Sequence, residues 1–236
     1  FLIAPRDHEQ RRDVIPAKAI LIVWTDIPAD DEDDFNEWYI REHVRSRVAD
    51  LPGFIHGRRF EALSGGPKYV ALYEVEDISV FRSQPYLDLV AKPDPLSQRF
   101  IPKFHNVVRM ISDVVASAGD AEGGILGLQA LIPIAGREAE FRNWTSQVLV
   151  PELASQRGIV AAHLWNVNAR ILAESVSRHM RSGDSVFEWQ LAIEASSPED
   201  IVAAHGNFLD EANLVANGAA RASDLTVFRT TYRVAP

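Results

Sequence analysis

Cysteine is absent from this 236-residue chain, so disulfides, thiolate nucleophiles and Cys-ligated metals are excluded from the start. That usage fits a reducing compartment, and the expectation is a cytoplasmic protein. Long apolar runs are missing too. The longest, from Gly124 to Ala135, is interrupted by Gln129 and Pro133 and falls short of a membrane span. Positive charge is scarce: 24 Lys and Arg stand against 33 Asp and Glu, giving a net charge of −9. No clustered basic face is visible, which argues against a nucleic-acid partner. Familiar cofactor and nucleophile signatures are missing as well. Gly123-Gly124 is not part of a G-x-G-x-x-G fingerprint, and no G-x-S-x-G elbow occurs. The acidic run Asp30 to Asp34 lacks the Asp/Asn/Gly/Glu order of a calcium loop, and the seven histidines lack paired zinc-ligand spacing. Neither a metal nor a cofactor is expected. The opening FLIAPRDHEQRRD has too short an apolar stretch for a signal-peptide core; the expectation is a trimmed or processed chain whose residues 1 to 16 form a loose arm.

What is present is an ordinary globular composition, 47% apolar and 24% charged, in a length that suits one large or two small domains. The stretch from Asp31 to Phe60 organises the chain. It sets an amphipathic helix, a Leu51-Pro52-Gly53 stop and a strand in succession. Within the helix, Tyr39 and His43 share one side at i, i+4 spacing. Before it, AKAILIVWTDI (17 to 27) reads as a buried strand with Ile20, Ile22, Trp24 and Asp26 on one face. Asp31 is placed to cap the helix, and its acidic neighbours suit the positive end of the helix dipole. Strands at 54 to 63 and 68 to 76 form a hairpin about Ser64-Gly65-Gly66-Pro67. Closing it with Leu63 opposite Lys68 sets Arg58 across from Tyr73 and His56 across from Val75, on one face with Phe60 and Ala71. A less regular helix (77 to 91) and a strand (106 to 115) complete a β-α-β-β-α-β order.

The second half repeats that order, with strands at 125 to 134, 159 to 171, 185 to 195 and 225 to 234 and helices at 138 to 155 and 198 to 217. The expected organisation is an arm (1–16), a ferredoxin-like domain (17–117), a linker (118–124) and a second ferredoxin-like domain (125–236), the two units packed as an α+β barrel. Phe35 aligns with Phe141, Trp38 with Trp144, Gly53 with Gly158 and Arg109 with Arg229. Tyr39 and His43 align with Thr145 and Leu149, while His56 and Arg58 align with Ala161 and His163. Packing residues recur and polar ones do not, which points to the first half as the carrier of a site.

The segments FNEWYIREHV, PGF, GRRF and KYVALYEVED resemble the dimeric α+β barrel superfamily, closest to its EthD-like members. The resemblance implies two ferredoxin-like units with sheets face to face and helices outside. It further implies a small-molecule pocket in which the His of a Tyr-x-x-x-His helix, here His43, is often a pocket residue. Val44 stands where those proteins usually carry proline. Members include cofactor-free cyclases, isomerases, lyases and oxygenases acting on small aromatic, lactone or polyketide-like compounds, haem-binding branches, and proteins without known activity. They commonly dimerise, so a homodimer is a further expectation.

Three functional readings follow. In the first, His43 is the general acid or base with Tyr39 and Asp26 beside it. Arg58 and Tyr73 steady an oxyanion, and Trp24, His56 and Phe60 complete the substrate wall. Each also has a packing or surface explanation. A haem-binding barrel with His179 or His205 as axial ligand is the second reading, and a binding protein without catalysis is the third.

Overall fold

Alternation in the first strand decides which side of the sheet each residue serves. In β1 (Ala19–Asp26) the even positions Ile20, Ile22 and Trp24 join one buried cluster, and Ala19 and Leu21 join another. The computed structural model describes residues 17–179 and 186–235, without the side chains of 175–179, 221 and 222; the expected arm lies outside the described residues. After β1, α1 (Glu32–Trp38) passes through a π-turn, Tyr39–His43, into α2 (Val44–Val48). Then come β2 (Phe54–Ala62), β3 (Tyr69–Val75), α3 (Gln84–Ala91), α4 (Pro95–Phe100) and β4 (His105–Gly119). The second half has β5 (Ile125–Pro133), α5 (Glu138–Trp144), a π-turn at Thr145–Leu149 and α6 (Val150–Ala154). It continues with β6 (Ile159–Val167), α7 (Ala169–His179), β7 (Trp189–Ala195), α8 (Pro198–Phe208), α9 (Glu211–Ala216), β8 (Ala219–Ala222) and β9 (Thr226–Val234).

Each half lays out an antiparallel sheet in ferredoxin-like order, β4-β1-β3-β2 and β6-β7-β5-β9. The halves join edge to edge through β4 with β6 and β2 with β9, so eight strands close into a barrel and β8 extends β5 on the outside. Among the described residues, closure leaves no long unpaired edge. Three apolar clusters result: the barrel interior around Trp24, Phe60, Met110, Trp165 and Phe228, and a helix-side layer on each half. Each large side chain so buried contributes about 1.5–3 kcal/mol. Gly57 lets α2 lie directly on β2, because a Cβ there would come within 2.6 Å of Val44 Cγ1.

The element order agrees with the sequence reading, and several details differ. Ala62 N bonds to Lys68 O and Phe60 faces Val70, so the hairpin loop is one residue longer than expected. A one-residue slip exchanges the faces of the strand. Arg58 therefore lies opposite Leu72, His56 opposite Glu74, and the predicted Arg58–Tyr73 pair does not form. Asp31 makes no side-chain cap; its carboxylate pairs with Lys103. β4 runs four residues past Val115 to Gly119, and α7 occupies sequence assigned in part to a strand, Asn168 capping it by accepting from Ile171 N.

Candidate functional site

The π-turn Tyr39–His43 widens the helix by one residue and brings the Tyr39 and His43 ring centroids to 4.6 Å. Arg47 extends the same i, i+4 stripe. These three, with Tyr73 on β3, form the polar wall of a cavity of about 450 Å³ between the helix-side face of the first sheet and its helices. Leu21, Val23, Leu89, Ile101, Phe104 and Val107 make the apolar walls, which suits a flat apolar body with a polar edge.

His43 is buried, and Arg47 Nη1 lies 3.2 Å from its Nδ1 and 2.8 Å from its backbone oxygen. A guanidinium can only donate, so Nδ1 accepts and the proton of the neutral ring sits on Nε2. Burial, with the Arg47 and Arg59 charges adding to it, holds the His43 pKa well below the ordinary histidine value. At neutral pH His43 is thus an uncharged hydrogen-bond donor. Burial raises the pKa of Tyr39, opposed by Arg59 and Arg47, and raises that of Tyr73 still further, so both stay protonated. The Tyr73 hydroxyl is buried with no partner in hydrogen-bond geometry among the described residues, although the Tyr39 hydroxyl is near enough to influence it. Asp94 is the carboxylate on the wall. Burial would raise its pKa, but the Ser97 hydroxyl and the Ser97 and Leu96 amides outweigh that and lower it.

Arg59 shares the Tyr73 face. Its guanidinium carbon lies 4.2 Å from the Tyr39 ring centroid, 4.4 Å from that of Tyr69 and 4.8 Å from that of Phe35, and Nη2 donates to Asn36 Oδ1 at 2.7 Å. Arg109 also reaches the cavity and donates to the Tyr86 hydroxyl. Arg47 was discoverable by extending the Tyr39/His43 stripe one more turn; Arg59 was hidden by the register slip.

The remaining predicted residues lie elsewhere. Trp24 and Phe60 pack inside the barrel, Trp24 edge-on to Phe228. Arg58 is buried at one mouth of the barrel, bidentate to Glu194 at 2.7 and 2.8 Å and bonded to Glu74 at 2.9 Å, with His56 nearby. Asp26 closes the hairpin by accepting from Lys68 N and Asn106 Nδ2 and does not line the His43 cavity. The sequence-predicted site is therefore divided by the sheet: Tyr39, His43 and Tyr73 on the helix side, Arg58, His56, Trp24 and Phe60 on the barrel side.

A haem does not fit these residues well. An iron-ligating histidine normally donates its second ring N–H to an acceptor, whereas His43 has a guanidinium there, leaving the proton on Nε2. His205 does not line the His43 cavity, and the side chain of His179 lies outside the described residues. No described helix is long and apolar enough to cross a membrane.

No family model and no curated protein matches the chain. Solved structures do. A Lactobacillus acidophilus protein described as a monooxygenase has a TM-score of 0.59 at 9% identity, covering 93% of this chain and 97% of that one. An anthrone oxidase-like protein gives 0.60 at 12% identity, covering 93% of each chain. A variant chlorite dismutase from Candidatus Nitrospira defluvii gives 0.57 at 10%, covering 94% and 96%. At these identities the likeness is one of fold, an α+β barrel of ferredoxin-like units.

Proposed function

We propose that the His43 cavity is the active site of an enzyme of the lyase, isomerase or cyclase class, acting on a small aromatic, lactone or polyketide-like compound whose oxygen gains negative charge during reaction. One observation carries the reading: a buried histidine clamped neutral with Nε2–H free to donate, in one cavity with the buried Tyr73 hydroxyl, which the Tyr39 hydroxyl approaches outside hydrogen-bond geometry. A neutral imidazole polarises a carbonyl as an electrophile, and its lowered pKa suits that role better than the general acid or base role expected from the sequence. Tyr73 supplies a second donor to the same oxygen. Arg47 and Arg59 make the site favourable for an enolate or phenolate. Asp94, ionised on the wall, is the acceptor for the proton that leaves. The monooxygenase and anthrone oxidase-like descriptions of two neighbours are in keeping with small-molecule chemistry on this fold.

The test uses 4-nitrophenol as a reporter, followed by turnover of enolisable ketones and lactones. The cavity is expected to bind 4-nitrophenol as the phenolate, lowering its apparent pKa and shifting its absorbance. For a compound that is turned over, His43→Ala is expected to lower kcat/KM by about 100-fold or more, with His43→Gln, which keeps a donor, losing less. Full activity in His43→Ala, or binding of the neutral phenol only, overturns the assignment.

A further inference from the structure

A second cavity, of about 260 Å³, lies at one mouth of the barrel and is separated from the His43 cavity by the sheet. Three polar side chains on its wall form one row across adjacent strands: Ser117 on β4, His163 on β6 and Glu194 on β7. Strand register makes the row. Ser117 lies directly opposite His163, and Glu194 is two residues along from Ala192, the residue that faces His163.

The contacts give each member a chemical role. Ser117 Oγ is 2.8 Å from His163 Nδ1, and His163 Nε2 is 3.6 Å from Glu194 Oε1. Glu194 is ionised: burial would raise its pKa, but His163 and Arg58 hold it at about 2. An ionised carboxylate only accepts, so Nε2 carries the proton of the neutral ring and Nδ1 accepts from the Ser117 hydroxyl. Glu194 is itself fixed by two Arg58 bonds and the Gly123 amide, and the His163 ring lies within 11° of parallel to that of Trp165. The 3.6 Å contact is long for a hydrogen bond, of the kind that tightens when substrate is bound. Ser117 is exposed at the cavity edge, so its oxygen is open to an approaching carbonyl. An oriented serine, a base and a buried carboxylate are the parts of a hydrolytic triad, with Nδ1 in the place usually held by Nε2.

The other seam of the barrel shows that closure does not require this row. There Arg233 faces Arg58, and Glu74 stands two residues along from Leu72, the residue that faces Arg58. The layout is the same with arginine in the place of histidine, and a guanidinium cannot accept a proton. Among the described residues Arg233 bonds Glu122 through Nε alone, which leaves its terminal nitrogens at the cavity wall to meet an oxygen that gains charge.

We propose that the barrel mouth is a second catalytic centre, hydrolysing small carboxylic esters with Ser117 as nucleophile and His163 as its base. Ser117 Oγ bonds to the ester carbonyl carbon while its proton passes to His163 Nδ1, and that proton goes to the alkoxide as the ester C–O bond breaks. Water then adds to the acyl-serine and yields a proton to Nδ1. The carboxylic acid leaves as Oγ takes that proton back. The volume of the cavity suits a short acyl chain. Nothing in this site depends on the reading of the His43 cavity.

Phenylmethylsulfonyl fluoride and phenyl acetate test this on the full chain, with peptide mass mapping for the first and titration of released acid for the second. The sulfonyl group is expected on Ser117, and its attachment is expected to slow by about 100-fold or more in His163→Gln. Phenyl acetate is expected to be hydrolysed saturably, with kcat/KM lowered by about 100-fold or more in Ser117→Ala, a change at an exposed side chain that keeps the fold. An unmodified Ser117 overturns the proposal. So do equal labelling rates in wild type and a His163→Gln variant with native circular dichroism, or phenyl acetate turnover no faster in wild type than in Ser117→Ala.

Discussion

In the first half of the barrel the π-turn carries Tyr39 and His43; in the second the matching turn carries Thr145 and Leu149. The substitution extends to Arg47 and Tyr73 of the wall and to Arg59 near it. Arg47 becomes Leu153, Arg59 becomes Leu164 and Tyr73 becomes Ile193, each apolar replacement exposed by 1% or less. The Thr145 hydroxyl turns back to the Phe141 carbonyl and asks nothing of a ligand. Both halves keep the π-turn, the Phe35/Phe141 anchor and the strand order, so those features belong to the fold. The polar wall is not needed to build a ferredoxin-like unit, because the second unit is built without one. Its presence in the first unit costs desolvation of an arginine and two tyrosines, a cost that ligand chemistry accounts for better than packing does.

The sharpest way to break that contrast is to exchange Arg59 and Leu164. Arg59 rests among three rings and an Asn36 bond, whereas Leu164 is fully buried in the apolar second helix-side layer. Leu164→Arg is expected to cost at least about 4 kcal/mol in urea unfolding, and Arg59→Leu less than about 1.5 kcal/mol, because one buries an unpaired charge and the other removes one. Equal losses would mean the aromatic cage is a structural requirement of the first half. Next in size is His43→Leu, which copies Leu149 into the first half. Binding of 4-nitrophenolate is expected to fall by about 100-fold, with a chemical-denaturation midpoint equal to or above wild type. The sign with pH follows: a histidine with a depressed folded pKa binds its proton more readily when unfolded, so wild type loses stability as pH falls below about 6.5, and His43→Leu lacks that part of the loss.

Much of this contrast was legible in the sequence because helices and strands advertise their faces by period. Phe35, Trp38, Tyr39 and His43 lie on a 3.6-residue stripe, and the internal repeat exposes which members of the stripe are dispensable. The hairpin was less legible. Strand period is two, so the difference between closing the turn at Leu63 or at Ala62 moves Arg58 and Arg59 through the sheet in opposite directions. Nothing local in SGGP distinguishes the two closures. The choice is made by tertiary contacts: Phe60 to the interior, and Gly57 under α2. The barrel-mouth ion cluster was equally hidden, since Arg58 and Glu194 are 136 residues apart and meet only on closure.

That cluster is where the halves agree, and it sharpens the comparison from the other side. Glu74 on β3 and Glu194 on β7 occupy matching positions and share Arg58. Burial would raise both pKa values, but His56 and Arg58 at Glu74, and His163 and Arg58 at Glu194, pull each down to about 2. A depressed carboxylate contributes stability above its unfolded pKa and loses it as pH falls through the folded value. Each glutamate is therefore expected to contribute on the order of 3 kcal/mol at neutral pH that disappears between about pH 4.5 and pH 2. Acid unfolding of Glu194→Gln should begin from a lower plateau and show a shallower slope across that window. An unchanged slope would mean that closure of the barrel does not depend on the cluster.

The smallest expected effect separates ligand demand from fold demand most cleanly. Tyr73 and Ile193 are counterparts, and the Tyr73 hydroxyl is buried without a partner in hydrogen-bond geometry among the described residues. An unsatisfied buried hydroxyl is a liability to the fold, so Tyr73→Phe should leave stability unchanged or raise it by up to about 1 kcal/mol. In the proposed active site the same hydroxyl is the second donor to the substrate oxygen, so 4-nitrophenolate affinity should drop by roughly tenfold. Opposite signs from a single oxygen atom would locate the function of the first half in the groups its fold can least use. A loss of stability with no change in affinity would instead make Tyr73 a packing residue like Ile193.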